Sequence, residues 1–359
     1  MKIFVNTVFW IWLLVVCECC MCYSEASATD FHACTANNSS QTRFVIDMVG
    51  RKVAVPCKIN RIATIGPVPV INSYVFALGE GNKIVNGLPS NFTRTKRWRL
   101  QTAIAPHLAD QVVLQGQMGH EANIEALMSL RPDIVITMDA FMIKALENTG
   151  IPVICLQWTD DSDIKANMKV LGEVLDRTPR SNEYLRYFET KIAGVHQTLK
   201  GISTASIPKV LYLNAITLTT PLLIAEWWIR EAGGQSVTAK ITRSGTVNYS
   251  HEQVMQWNPD IMIVSTPEQI AKVYQDKRFS MVNAVQNRKV YAIPVGVHSW
   301  GERNIEQPLT VLWAAKLFHP ELFRNTDLVK ETQNFYREFF GYNLTNKEAI
   351  EIINGGSSN

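Results

Sequence analysis

Three scarcities narrow this chain before any motif is read. Charge is sparse and nearly balanced: 35 Lys and Arg face 32 Asp and Glu in 359 residues, a formal net charge of +3. The basic residues are dispersed and form no stripe with interleaved aromatics, which sets nucleic acid aside as a partner. Long apolar runs are missing beyond residue 28, where nothing approaches the ~20 residues of a spanning helix. Enzyme signatures are missing too. There is no Walker A sequence, no G-x-G-x-x-G and no G-x-S-x-G elbow. Gly119-His120-Glu121-Ala122-Asn123-Ile124 opens like a zinc-protease helix, but Ile124 stands where the second ligand belongs. No cysteine pair accompanies histidine at zinc-finger spacing.

The first residues are an address. Met1-Lys2 precedes an apolar stretch from Ile3 to Val16, broken only by Asn6 and Thr7, and Ala26-Ser27-Ala28 follows. A positive start, a short apolar core and an A-x-A ending predict a signal peptide over residues 1–28 and export to the periplasm. A membrane anchor is the competing reading, and the run is short for one. The cluster Cys17, Cys19, Cys20 and Cys22 adds a variant in which a lipidated cysteine tethers the protein. Cleavage after Ala28 leaves Cys34, Cys57 and Cys155; Cys34 and Cys57 either pair in the oxidising compartment or stand as isolated apolar side chains.

What is present is a sentence said twice. Glu125-Ala126-Leu127-Met128-Ser129-Leu130-Arg131-Pro132-Asp133-Ile134-Val135-Ile136 returns as Glu252-Gln253-Val254-Met255-Gln256-Trp257-Asn258-Pro259-Asp260-Ile261-Met262-Ile263. Each copy reads as a short amphipathic helix ended by proline, then a buried strand. Around these copies, strands alternate with helices. Arg43 to Pro56 reads as two strands joined at a glycine turn, Arg61–Ile65 as a strand, and Ile84 as the start of another. Pro179 to Lys200 reads as a long helix with Leu185, Phe188, Ile192, Val195 and Leu199 at three- and four-residue spacing. The expected fold is α/β: two similar lobes with mostly parallel sheets, bridged by that one long helix, with a ligand cleft between them. The expected boundaries are 43–163 for the first lobe, 164–203 for the helical linker and 204–345 for the second lobe.

Loops at the carboxyl ends of strands line the crevice of an open α/β sheet. Trp98 lies among Arg94, Lys96, Arg97 and Arg99; Trp158 follows the strand ending at Leu156; Trp300 sits in a polar loop before Arg303. Aromatic rings and guanidinium groups there suit a large, flat, anionic or metal-chelating ligand. His120 and His298 are the candidate metal ligands, since imidazole suits iron and nickel.

The order of these pieces resembles the substrate-binding proteins of ABC importers for iron–siderophore, haem and cobalamin. The resemblance is carried by Asp47, Gly50-Arg51 and Val55-Pro56; by Arg61-Ile62-Ala63, Gly66-Pro67 and Ala77-Leu78-Gly79; and by Asn123-Ile124-Glu125, Arg131-Pro132-Asp133-Ile134, Gly150-Ile151-Pro152-Val153 and Ser250-His251-Glu252-Gln253-Val254. It spans about residues 43–320. It implies a non-enzymatic, monomeric periplasmic receptor that delivers a metal chelate to an ABC permease, docking through Glu125 and Glu252. The candidate ligand-binding positions are Pro67, Tyr74, Trp98, Trp158, Arg243, Trp300 and Arg303. A ferric siderophore is the first choice of ligand, with haem, a corrinoid or a nickel chelate as alternatives. Leu218-Thr219-Thr220-Pro221 stands where the cobalamin-binding member has an aromatic-rich stretch, which argues against cobalamin itself. No intrinsic cofactor is expected. An exported enzyme assembling its groups in the cleft is the alternative of another class.

Overall fold

The computed structural model describes residues 41–116, 121–158, 162–221, 224–241 and 246–356. The signal peptide expected over 1–28, Cys34, His120 and Arg243 lie outside the described residues. Cys57 is disulfide-bonded, to a partner that also lies outside them, and Cys155 is free and buried.

Two parallel sheets form the frame. The first pairs Ile62–Ile65, Ile134–Thr137 and Val153–Cys155 in that order; the second runs Val290–Ala292, Ile261–Val264, Lys209–Leu213 and Gln235–Ser236. Ile62–Ile65, Ile134–Thr137 and Ile261–Val264 are buried along their length, and Lys209–Leu213 is buried after Lys209, as expected of sheets covered on both faces. Alternate side chains serve different cores. Ile62, Ile134, Val210 and Ile261 point into one large core, while Ala63 and Val135 join a satellite cluster behind the first sheet, and Leu211 and Met262 join another behind the second. The large core is shared by both lobes.

The repeated sentence folds the same way twice. Asn123 and Ser250 cap the two seven-residue helices Ile124–Leu130 and His251–Trp257, each accepting from a backbone N–H of the first turn. Arg131 and Asn258 end them in the left-handed region, at φ 46° and 45°, and the prolines follow. Each Asp then ties its strand to the preceding one. Asp133 Oδ2 accepts from the Asn60 and Arg61 amides at 2.6 and 2.9 Å, and Asp260 Oδ2 from the Lys209 amide at 2.9 Å. The Pro-Asp pair thus stops a helix and sets the register of a sheet.

The opening hairpin, Thr42–Ile46 with Lys52–Pro56, is organised by a buried carboxylate. Asp47 accepts from the amides of Val49, Arg51 and Cys155 and from the Arg51 guanidinium. The Cys155 contact joins the hairpin to the edge of the first sheet.

The long helix is Thr178–Leu199, about 33 Å at 1.5 Å per residue. Arg177, rather than Thr178, holds its cap position. Leu185, Phe188 and Val195 are buried, with Ile192 and Leu199 packed beside them, as the spacing predicts. It lies against the helices Ser162–Val174 and Gln307–Phe318. The chain then returns to the first lobe: Phe340 meets Phe76 edge-on, 6.4 Å between centroids, and Arg99 pairs with Glu348 and Glu351 at 3.0 Å each. The expected end of the second lobe at residue 345 leaves out the helix Asn346–Ile353, whose Ile352 carbonyl accepts from Val295 N.

Residues 84–87 do not form the expected strand. Ile84 makes a single bridge to Ile62, and the side chain of buried Asn86 replaces the ladder, accepting from Thr64 N at 2.7 Å and donating to Thr64 O at 3.0 Å. An amide has the donor and acceptor of a peptide unit, so one side chain does what a strand residue would. Asn86→Ala strands both buried groups of Thr64, and we expect about 2–4 kcal/mol less stability in urea unfolding; Asn86→Asp, lacking the donor, should fall between.

Candidate ligand-binding site

Segments that follow strands of the second sheet meet the first lobe where Arg97 reaches Ser265 O and Gln101 reaches Val297 O, and the loop Val295–Arg303 is the most elaborately supported segment there. Glu306, fully buried, sits beneath it. Its Oε1 accepts from the Trp300 indole at 2.9 Å and the Tyr336 hydroxyl at 2.6 Å, and Oε2 accepts weakly from His298 N at 3.4 Å. Val297 N donates to the Tyr336 hydroxyl. Asn304 donates to Ser299 O, and Gln307 and Thr310 to Trp300 O. Gly296 leaves the space for this: a Cβ there would collide with Glu306 Oε1 and the Tyr336 hydroxyl. Burial pushes the Glu306 carboxyl up to about 7 against the opposing pull of its donors.

This arrangement corrects the reading of Trp300. It was expected partly exposed and facing the cleft; its exposure is 0% and its indole is spent on Glu306. Polar neighbours in sequence misled, because the polar groups around it face inward to hold the loop. Tyr74 is corrected likewise. It exposes none of its surface, lying on the helix Val68–Ala77, which is buried on every side.

What the loop presents outward meets the first lobe. Trp98 stacks on His298 with centroids 5.1 Å apart and planes at 28°, and Phe92 packs edge-on to Trp98 at 5.2 Å. Arg97 reaches Ser265 O at 2.6 Å, just past the strand Ile261–Val264. Gln101 Nε2 donates to Pro69 O and Val297 O, both at 2.9 Å. Pro67, half-buried, starts the helix Val68–Ala77, and Gln115 clasps the preceding Gly66 by both backbone groups at 2.6 Å.

Among the described residues, three groups near this junction have no hydrogen-bond partner. Arg303, half-buried, forms no hydrogen bond or ion pair with any of them, although it lies within electrostatic reach of His298 and Tyr74. His298 Nδ1 has no partner, and burial lowers that imidazole's pKa, keeping the ring neutral. The Tyr74 hydroxyl lies near Asn167 without a hydrogen bond of normal geometry. Among the described residues no three His, Cys, Asp or Glu side chains converge to hold a metal ion. The junction therefore offers donors to an anion and no cage for a bare cation.

Residues 91–295 match the periplasmic binding protein family. The chain belongs to that family. It is 24% identical over 324 residues to the molybdate-binding protein MolA of Haemophilus influenzae, covering 83% of this chain and 91% of the relative. A solved periplasmic solute-binding protein from Veillonella parvula is 28% identical, with a TM-score of 0.75, covering 87% and 97% of the two chains. Molybdate-bound MolA superposes at a TM-score of 0.74 and 22% identity, covering 84% and 99%. These relatives are solute-binding proteins. This binding protein is thus an exported periplasmic component of an ABC transporter with the two-lobed fold of its neighbours.

The remaining candidates separate. Trp158 is half-buried against the shared core. Glu125 and Glu252 are both exposed in the first turns of the repeated helices. The Glu252 carboxyl is held below its usual range, chiefly by a hydrogen bond from Ser250. Sequence reasoning missed Glu306, Tyr336 and Gln101. Glu306 directly precedes an apolar helix, a faint sign that its carboxylate turns inward; the other two carry no such mark. Phe141 is 98% exposed beyond the strand Ile134–Thr137.

Glu306 makes stability depend on pH. Its folded pKa lies above its unfolded value, so between about pH 4.5 and 7 the folded state binds more protons than the unfolded one. The stability due to this group is full below that window and lost as pH rises through it. Urea unfolding should give about 2–3 kcal/mol less stability from Glu306 at pH 7.5 than at pH 4.5, and the difference between wild type and Glu306→Gln isolates it.

Proposed function

We propose that this binding protein captures an anionic metal species and hands it to its permease. A molybdate-type oxyanion is the first reading. The observation that carries it is Arg303: a half-buried guanidinium that pairs with no carboxylate among the described residues, beside an imidazole whose buried Nδ1 has no partner there and whose pKa burial lowers. A guanidinium and nearby polar donors fit the oxygens of a tetrahedral oxyanion. The molybdate-binding relative, aligned over most of both chains, supports the same chemistry. Arg243, outside the described residues, is a second candidate cation.

The second reading is an anionic chelate, with the ferric siderophore foremost. It is favoured by the Trp98–His298 stack and by the exposed ring of Phe141, which suit a flat organic ligand. Neighbours in the fold include a nickel–histidine complex of CeuE from Helicobacter pylori and the haem-binding RhuT from Roseiflexus, so haem, a corrinoid or a nickel chelate belong to this second group. In either reading His298 acts as a hydrogen-bonding or stacking group; His120 keeps its proposed ligand role only for a chelate.

Calorimetric titration with molybdate, tungstate, sulfate and a ferric catecholate separates the readings. We expect molybdate to bind, and Arg303→Ala to weaken it by about 30-fold or more, consistent with ~2–4 kcal/mol for a desolvated charge pair. Binding of the catecholate alone establishes the second reading. Unchanged molybdate affinity in Arg303→Ala removes Arg303 from the site.

For docking, Glu125 and Glu252 are the proposed contacts with the permease. Each is followed one turn later by an exposed methionine, Met128 at 47% and Met255 at 45%, so each face joins a carboxylate to an apolar knob. Glu125→Arg and Glu252→Arg should each leave ligand affinity intact and impair uptake, the double change most, because like charges across a docking surface cost several kcal/mol. Normal uptake by the double variant refutes the assignment.

A further inference from the structure

We propose that Glu306 is the positioning residue of the ligand loop, acting as a buried hydrogen-bond acceptor that sets where His298 and Arg303 stand. This deepens the receptor reading and rests on it. The argument starts with the cost of the arrangement. This fully buried carboxyl exposes none of its surface to water, and among the described residues it forms no ion pair and accepts from the Trp300 indole, the Tyr336 hydroxyl and the His298 amide. A carboxyl so placed is expensive unless its acceptor capacity is used. All three donors belong to, or bind, the loop Val295–Arg303: Trp300 and His298 lie in it, and Tyr336 receives the Val297 amide.

The geometry is specific to a long planar acceptor. Gly296 has no Cβ because the carboxylate and the Tyr336 hydroxyl occupy that space. Tyr336 opens a five-residue π-helical turn, Tyr336–Phe340, a form that recurs at functional positions. On the other side, Glu306 N donates to Asn304 Oδ1 while Asn304 holds Ser299 O, and the Tyr184 hydroxyl of the long helix donates to Ile305 O at 2.7 Å. The ligand loop and Tyr336 thus meet at this carboxyl, and the long helix bonds the backbone of the residue before it. Without it, Trp300 loses its anchor and the loop loses the register that sets His298 against Trp98.

The test uses the whole protein, with molybdate as probe and hydrogen–deuterium exchange as a readout that needs no ligand. Glu306→Gln keeps an acceptor for Trp300 and Tyr336; Glu306→Ala removes it. We expect Glu306→Ala to bind molybdate at least tenfold more weakly and to exchange faster in residues 295–303 than elsewhere. Glu306→Gln should stay within threefold of wild type in affinity and keep the loop protected. Tyr336→Phe, which removes one donor without emptying the site, should show a smaller loss confined to the same loop. It decides the matter if Glu306→Ala does not fold. Native protection of 295–303 in Glu306→Ala, Gln as damaging as Ala, or faster exchange spread over the whole protein each overturns the proposal. If wild type binds no molybdate, the ligand reading falls while the exchange result still decides the role of Glu306.

Discussion

The inner faces of the two sheets are buried in one continuous core that runs along the helix Thr178–Leu199, and the ligand junction inherits its precision from that burial. Tyr184, Leu185, Phe188 and Val195 are each removed from water there, at about 1.5–3 kcal/mol for a large apolar side chain. A separation of the lobes would have to open the same core that holds each sheet together. The lobes are further tied by Arg97 to Ser265, Gln101 to Val297, and Arg99 to the C-terminal helix. Motion between them is accordingly a matter of loops and side chains more than of a hinge between flexible strands.

That constraint explains the division of labour around the site. Polar groups at the junction fall into two sets. Glu306, Tyr336, Asn304, Gln307 and Thr310 face inward and fix one loop by direct hydrogen bonds. Arg303 and the buried Nδ1 of His298 are left without hydrogen-bond partners among the described residues. Under the proposed function, such a fixed support would leave little ordering to be done when a ligand arrives. The duplicated helices precede the strands Ile134–Thr137 and Ile261–Val264 and leave Glu125 and Glu252 exposed, as the proposed docking role requires.

Much of the frame was legible in the amino-acid order because local physics writes it there. The two Pro-Asp sentences marked equivalent helices and strands, and the structure gives each Asp the same work on a neighbouring strand. The spacing of Leu185, Phe188 and Val195 marked the long helix. The strand expected from Ile84 was not found, because an amide side chain, Asn86, can imitate a peptide unit and period-two patterning does not register that substitution. Helix Asn346–Ile353 was left outside the second lobe, since its partner Arg99 lies some 250 positions away in sequence.

The sequence by itself determined the main architecture: the repeated helix–strand units, that there are two similar lobes, that one helix bridges them, and which carboxylates repeat. These follow from short-range hydrophobic periodicity and from proline and aspartate at chain turns. Only the tertiary structure decided the direction each polar and aromatic side chain faces. Trp300 and Trp98 sit in similar polar surroundings in the chain, yet one is enclosed on Glu306 and the other stacks at the junction. Burial is a property of what arrives from distant segments, and here Tyr336, Gln101 and Glu306 arrived to choose between them.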